Sequence, residues 1–146
     1  MISIKPIELS DLEAYSTLCN ELFGSKTNMT QLEIMIKKII TNPDYILVGA
    51  KETDNNHLLG TVMGITCIDT VGECRPFMLL ENLIVSKTYR RQGVGKTLVR
   101  YIEEHAREQN CYFVMLMSLA KRKEAHSFYE SVGYSNTISH GFKKYL

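Results

Sequence analysis

The eight residues Arg90-Arg91-Gln92-Gly93-Val94-Gly95-Lys96-Thr97 constrain the fold more than any other stretch, because they join an apolar strand to an amphipathic helix. Phe77 to Val85 come before them, rich in Leu, Ile and Val; after them Val94, Leu98, Val99, Ile102 and Ala106 recur at helical spacing. The glycines therefore fall at a helix N-terminus. There the first N–H groups lack intrahelical acceptors, the dipole end is positive, and glycine lets an anion reach the main chain. Such a junction suits phosphate.

Spacing separates three phosphate-loop patterns. Gly95-Lys96-Thr97 imitates the end of a nucleoside triphosphate loop, G-x-x-x-x-G-K-[ST], but that pattern needs glycine where Arg90 stands. A dinucleotide fingerprint, G-x-G-x-x-G, would place a small residue at Leu98. The pattern that matches is [RQ]-x-x-G-x-[GA], read as Arg90-x-x-Gly93-x-Gly95. It resembles the coenzyme A pyrophosphate loop of the GNAT N-acetyltransferase superfamily. Read without that resemblance, the stretch is an ordinary strand-to-helix turn with a solvated basic flank.

The order of elements extends the resemblance. At 146 residues, with 45% hydrophobic and 23% charged residues, the chain suits one domain, 1–146, with a sizeable core. A strand near Ile2 to Ile7 leads to Ser10-Asp11-Leu12-Glu13, a capping box opening a helix that reaches Phe23. Thr30-Gln31-Leu32-Glu33 repeats the signal before a helical run through Ile40, which Asn42-Pro43-Asp44 stops. Strands near Tyr45 to Lys51 and Leu58 to Ile68 flank a polar turn, as in an antiparallel hairpin. The central strand and loop helix follow. Then come a strand at Cys111 to Met117, a short helix at Glu124 to Val132 stopped by Gly133, and a terminal pair of strands within Tyr134 to Leu146. This β-α-α-β-β-β-α-β-α-β(-β) order is similar to the GNAT order. The expected class is α/β (α+β): a mixed, mostly antiparallel sheet of six to seven strands flanked by about four helices.

Three segments carry the resemblance: Glu81 to Val85, Arg90 to Lys96, and Ala125-His126-Ser127-Phe128-Tyr129-Glu130-Ser131-Val132-Gly133-Tyr134, which resembles the A-x-x-F-Y-x-x-x-G-[FY] signature. The resemblance implies an enzyme that moves the acetyl group of acetyl-CoA directly to a primary amine of a small molecule. It implies that the cofactor arm pairs with main chain at Leu83, Ile84 and Val85. The pyrophosphate would lie over the N–H groups of Arg91, Gln92, Gly93, Val94, Gly95 and Lys96, with Arg90 or Arg91 pairing to phosphate and Ala125 and Phe128 at the cofactor side. A weaker likeness, through Lys121-Arg122, Ala125-His126, Phe128-Tyr129 and Phe142, is to bacterial aminoalkylphosphonate N-acetyltransferases.

Attack by an amine needs a proton acceptor. Glu81, set among Met78-Leu79-Leu80 and Leu83-Ile84-Val85, is the candidate base, with Asn82 on the opposite side of the strand a weaker one. Unrelated to chemistry, Glu81 reads as a carboxylate at a sheet opening paired with a basic residue. A main-chain N–H, that of Leu83, is the expected donor to the carbonyl oxygen. Tyr129 matches the tyrosine that protonates the leaving thiolate in the family. By periodicity alone, Ala125, Phe128, Tyr129 and Val132 form a core stripe.

Composition trims the rest. A net charge of +1 argues against a dedicated nucleic-acid partner. Cys19, Cys67, Cys74 and Cys111 lie far apart with no C-x-x-C pair and no zinc-like histidine spacing, so neither a metal site nor a disulfide framework is expected, and the cysteines read as buried apolar residues. No stretch has the length of a membrane span and no signal-like start is seen, which makes the cytoplasm the expected location. Other readings stay open: acetylation of a protein or peptide amine, a noncatalytic acyl-CoA-binding regulator, and a homodimer.

Overall fold

Continuous burial along β-strand segments 47–51 and 58–62, covered on both faces, holds the fold in the computed structural model, which describes residues 1–146. Strands β1 (Ile2–Pro6), β2 (Tyr45–Glu52), β3 (Leu58–Cys67), β4 (Phe77–Val85) and β5 (Val114–Met115) form one sheet in that order. Pairing is antiparallel from β1 to β4 and parallel between β4 and β5. The parallel step needs a crossover, which helix α3 (Val94–Glu108) supplies.

Each face of the sheet receives one helical layer. The buried stripe of α3, Val94, Leu98, Val99, Ile102 and Ala106, covers the face that carries Met78 and the glycines Gly60 and Gly64. A Cβ on Gly60 would lie 2.7 Å from the Ile84 carbonyl oxygen, and one on Gly64 would lie 3.2 Å from Ile102, so the helix packs closely only because these positions are bare. Helices α1 (Leu12–Phe23) and α2 (Met29–Ile40) cover the other face, where Tyr15, Leu18 and Ile36 join Ile7, Leu47, Leu58 and Ile84 in one buried cluster. At the edge of this cluster Lys51 is buried, and its Nζ donates to both carboxylate oxygens of Asp11 at 2.7 Å.

The contacts gather the chain into two compact units, Met1–Met115 and Leu116–Leu146. The second contains α4 (Lys123–Ser131), which closes in the way its Gly133 signals. Gly133 has φ +98°, its N–H bonds to Glu130 O at 3.1 Å, and the Tyr134 N–H bonds to Tyr129 O at 3.0 Å. This pair of bonds satisfies the last carbonyls of the helix.

The fold class is the expected one, with three corrections. The sheet has five strands, not six or seven: Tyr134 to Leu146 form no ladder. In that segment the Ser135 hydroxyl accepts the Thr137 N–H at 3.2 Å, a local bond that competes with strand pairing. The strand expected at Cys111 to Met117 is reduced to Val114–Met115. The helix caps also differ from the Ser10 and Thr30 signals. Asp11 accepts the Glu8 N–H at 2.9 Å ahead of α1, and Asn28 Oδ1 accepts the Gln31 N–H at 3.1 Å at the start of α2.

Candidate functional site

The site is organised by a fault in β4. Thr61 pairs with Ile84 and Met63 with Glu81, so two residues of β4, Asn82 and Leu83, oppose the single Val62. This is a β-bulge. Asn82 takes φ +51°, a left-handed conformation that asparagine tolerates better than the β-branched residues around it. Two backbone bonds confirm the phase change. The Met78 N–H bonds towards β5, to Phe113 O at 3.0 Å, whereas the Ser86 N–H, an even number of residues later, bonds towards β3, to Leu59 O at 2.9 Å. One residue has been inserted between them.

On its other side β4 is nearly unpaired. Its parallel ladder with β5 consists of Met78 with Val114 and Leu79 with Met115, and β4 continues from Leu80 to Val85 with no ladder partner on that edge. An open strand edge offers main-chain donors and acceptors to an extended ligand. One of these acceptors is already engaged: the Val85 carbonyl receives Arg90 Nε at 3.2 Å.

Glu81 lies one residue before the bulge, on the face that carries Met63 and Ile84. It is half-buried, and its side chain makes no ion pair or hydrogen bond. Asn82 is exposed. Ile84 and Val94 are 2% and 1% exposed, so among the expected cofactor contacts these two offer only main chain.

The strand then turns into α3. Arg91 has φ +60° and Gly93, the N-cap, φ +85°, with nothing within 4 Å of where a Cβ would stand. No side chain caps the helix; the first intrahelical bond is the Thr97 N–H to Gly93 O at 3.0 Å. The N–H groups of Val94, Gly95 and Lys96 therefore point out of the helix end without a capping side chain. The Gln92 amide donates to Thr88 O at 3.1 Å and holds the turn closed from behind. Beside it lies an open cleft of ≈ 260 Å³ lined by Gly93, Lys96, Thr97 and Arg100. Lys96 and Arg100 stand one helical turn apart, and the side chains at the cleft carry positive charge only. Arg100 escaped the sequence reading, and Thr97 entered it only as the end of the nucleoside triphosphate pattern, although the spacing of both from Gly93 along the helix was the available signal.

Ala125, Phe128 and Tyr129 lie on α4 in the second unit. Phe128 and Tyr129 meet edge to face at 5.4 Å, and Tyr129 meets Tyr134 at 6.2 Å. His126 is half-buried with Nε2 2.9 Å from Leu119 O. The cysteines are all free thiols; contrary to the expectation of buried residues, Cys19, Cys67 and Cys111 are only half-buried and Cys74, at φ +53°, is exposed. Burial pushes the Cys19 and Cys111 thiols up from their ordinary range, the reverse of what a nucleophile needs. No group of three or more His, Cys, Asp or Glu side chains is gathered as a metal site, and no helix is long and apolar enough to cross a membrane.

Comparison with known proteins gives a consistent picture. Residues 12–134 match the family model described as acetyltransferase (GNAT) family. A probable glucosamine 6-phosphate N-acetyltransferase of Drosophila melanogaster is 26% identical over 135 residues, a match covering 91% of this chain and 60% of the fly protein. The chain thus spans less than two thirds of that relative's length. Among solved structures, a transcriptional regulator from Bacillus halodurans superposes with a TM-score of 0.91 at 20% identity over 100% of both chains. Glucosamine-6-phosphate N-acetyltransferase from Arabidopsis thaliana gives 0.85 at 23% identity, covering 100% of this chain and 99% of that one. At these identities the two structures share the fold.

Proposed function

The chain belongs to the GNAT family of acetyltransferases, and from that premise we propose that it moves the acetyl group of acetyl-CoA directly to a primary amine of a small molecule. The observation that carries the reading is the end of β4. A bulged strand with an open edge, an unpaired carboxylate beside the bulge and an uncapped helix N-terminus follow one another within residues 80–97. The fly and Arabidopsis proteins are both named for acetylating a small-molecule amine.

The residues suit the cosubstrate. The N–H groups from Arg91 to Lys96 supply a concave, positive end for pyrophosphate without a metal, helped by Arg91, Lys96 and Arg100. Leu83 and Val85 offer main chain to the pantetheine arm, with Ala125 and Phe128 as further contacts. Glu81 takes the proton from the acceptor ammonium and frees the nitrogen lone pair. As the C–N bond forms, the Leu83 N–H donates to the carbonyl oxygen. The C–S bond breaks, the Tyr129 hydroxyl gives the thiolate its proton, and the new amide nitrogen gives up its surplus proton to the resulting phenolate. Residues 1–146 form a single N-acetyltransferase domain in this reading, which the family match across both units supports.

The test is thiol release from acetyl-CoA on addition of amines, followed in the wild type, Glu81→Gln and Tyr129→Phe. Loss of turnover with retained acetyl-CoA affinity in each variant supports the assigned roles. Unchanged rates across pH in either variant reject that residue's role. Tight acetyl-CoA binding with no turnover on any amine, protein amines included, would leave a noncatalytic binder.

A further inference from the structure

The sheet face that carries Glu81 has a composition that bears on the acceptor. Three successive rows of cross-strand neighbours can be read from the register. Leu47, Met63 and Glu81 form the first, and Tyr45, Ile65, Leu79 and Met115 the second. Cys67 and Phe77 form the third, with Phe113 stacked on Phe77 at 5.2 Å. Every residue in these rows except Glu81 is uncharged, and all but the Tyr45 hydroxyl and the Cys67 thiol are purely apolar or thioether side chains. The helices α1 and α2 bury Leu47 in the core cluster, and Met63 packs partly buried against it, while Glu81 is half-buried. The outer rows are left half-covered: Tyr45, Ile65, Cys67, Phe77 and Leu79 are half-buried, and Phe113 and Met115 are 43% and 39% exposed.

Two cations near these strands have partners of their own. Lys51 shares the face but is buried against Asp11. Arg75, in the turn before β4, donates to Asn110 O at 3.2 Å and Cys111 O at 3.1 Å, with its guanidinium 5.6 Å from the Tyr112 ring centre. On these rows a phosphate or phosphonate group beside Glu81 meets a carboxylate and apolar carbon, a pairing that desolvation disfavours.

We propose that the acceptor is a primary amine with an apolar, uncharged body, alkyl or aryl, seated on these rows with its ammonium at Glu81. This rests on the acetyltransferase reading and deepens it, and it departs from the phosphorylated amine for which the fly and Arabidopsis proteins are named. Charge complementarity selects the occupant: one carboxylate at one end of an otherwise neutral surface orients an ammonium there and leaves the rest of the ligand on apolar side chains. From Glu81 to Phe77 the strand spans about 13 Å, longer than a hexyl chain or a phenethyl group.

The experiment measures thiol release at saturating acetyl-CoA with n-propylamine, n-hexylamine and 2-phenylethylamine against glucosamine 6-phosphate and 2-aminoethylphosphonate. The expected result is that kcat/KM rises about two- to fourfold per methylene from propyl to hexyl, the range set by partial to full burial of each group. The anionic amines are expected to fall at least about tenfold below hexylamine. Met115→Lys, with its fold checked by thermal melting, places a cation on the rim and is expected to narrow that gap about tenfold. Preferential turnover of the phosphorylated or phosphonate amine by the wild type overturns the inference while leaving the acetyltransferase reading intact. Flat rates from propyl to hexyl overturn it as well. Absence of turnover with every amine by protein that binds acetyl-CoA defeats both.

Discussion

The buried pair Lys51–Asp11 gives a sharp stability prediction. Its side chains are 2% and 9% exposed, the two Nζ to oxygen distances are 2.7 Å, and Asp11 also accepts the Glu8 N–H. Removing one partner strands a buried charge, which costs about 3–5 kcal/mol. Asp11→Ala should sit at the upper end, because the backbone donor of Glu8 loses its acceptor as well, a further ~1 kcal/mol. For 146 residues the unfolding entropy is about 0.3 kcal/mol per kelvin, so each single variant should melt roughly 10–16 °C below the wild type. The double variant Asp11→Leu with Lys51→Met removes both charges and leaves apolar volume, so it should recover most of that loss. The assay is a double-mutant cycle by urea unfolding and thermal melting. The reasoning is refuted if each single change costs under ~1 kcal/mol and the double is their simple sum.

Further outcomes follow from the site and the titrating groups. Glu81→Gln should lower kcat/KM by about 10²–10⁴ with acetyl-CoA affinity unchanged, read by thiol release and calorimetry. Gly93→Val forces a β-branched residue to φ +85° beside the open helix end, so it should destabilise by ~1–2 kcal/mol and weaken acetyl-CoA binding; wild-type affinity would remove the loop from the site. Burial raises the Tyr15 hydroxyl and the Cys19 and Cys111 thiols, so each holds its proton more tightly folded than unfolded. Their contribution is complete below about pH 8.5 and is lost as pH rises through the folded values, so the urea midpoint should fall between pH 8.5 and 10.5. Exposed Cys74 should react with a thiol reagent well before Cys19, as peptide mapping of labelled protein would show.

The β4–loop–α3 unit was legible because its signals are local: an apolar run, two glycines and a helical stripe that ends at Ala106, two residues before the helix does. The bulge was not, since alternation predicts an uninterrupted strand and places Asn82 simply opposite Glu81. The signal was Asn82 itself, a residue suited to φ +51° amid strand formers. The α1 N-cap is Asp11 rather than Ser10, and the Asp11 carboxylate faces Lys51, forty positions away, a partner that no local spacing reports. The terminal strands failed for the complementary reason. Ile138, Phe142 and Tyr145 favour strands, yet they are 84%, 92% and 80% exposed, and a strand forms only where another strand accepts it. For the candidate site, sequence spacing reached Glu81 and the helix end, while the open β4 edge and the cleft at Arg100 are products of tertiary pairing.

The measurement that bears most directly on the central claim is a calorimetric titration of the purified protein with acetyl-CoA, with magnesium-ATP as the comparison. Saturable acetyl-CoA binding at one site per chain, with no heat from magnesium-ATP, is the predicted result. Folded protein that binds no acetyl-CoA would contradict the account, and binding of magnesium-ATP in its place would return Gly95-Lys96-Thr97 to a nucleotide loop.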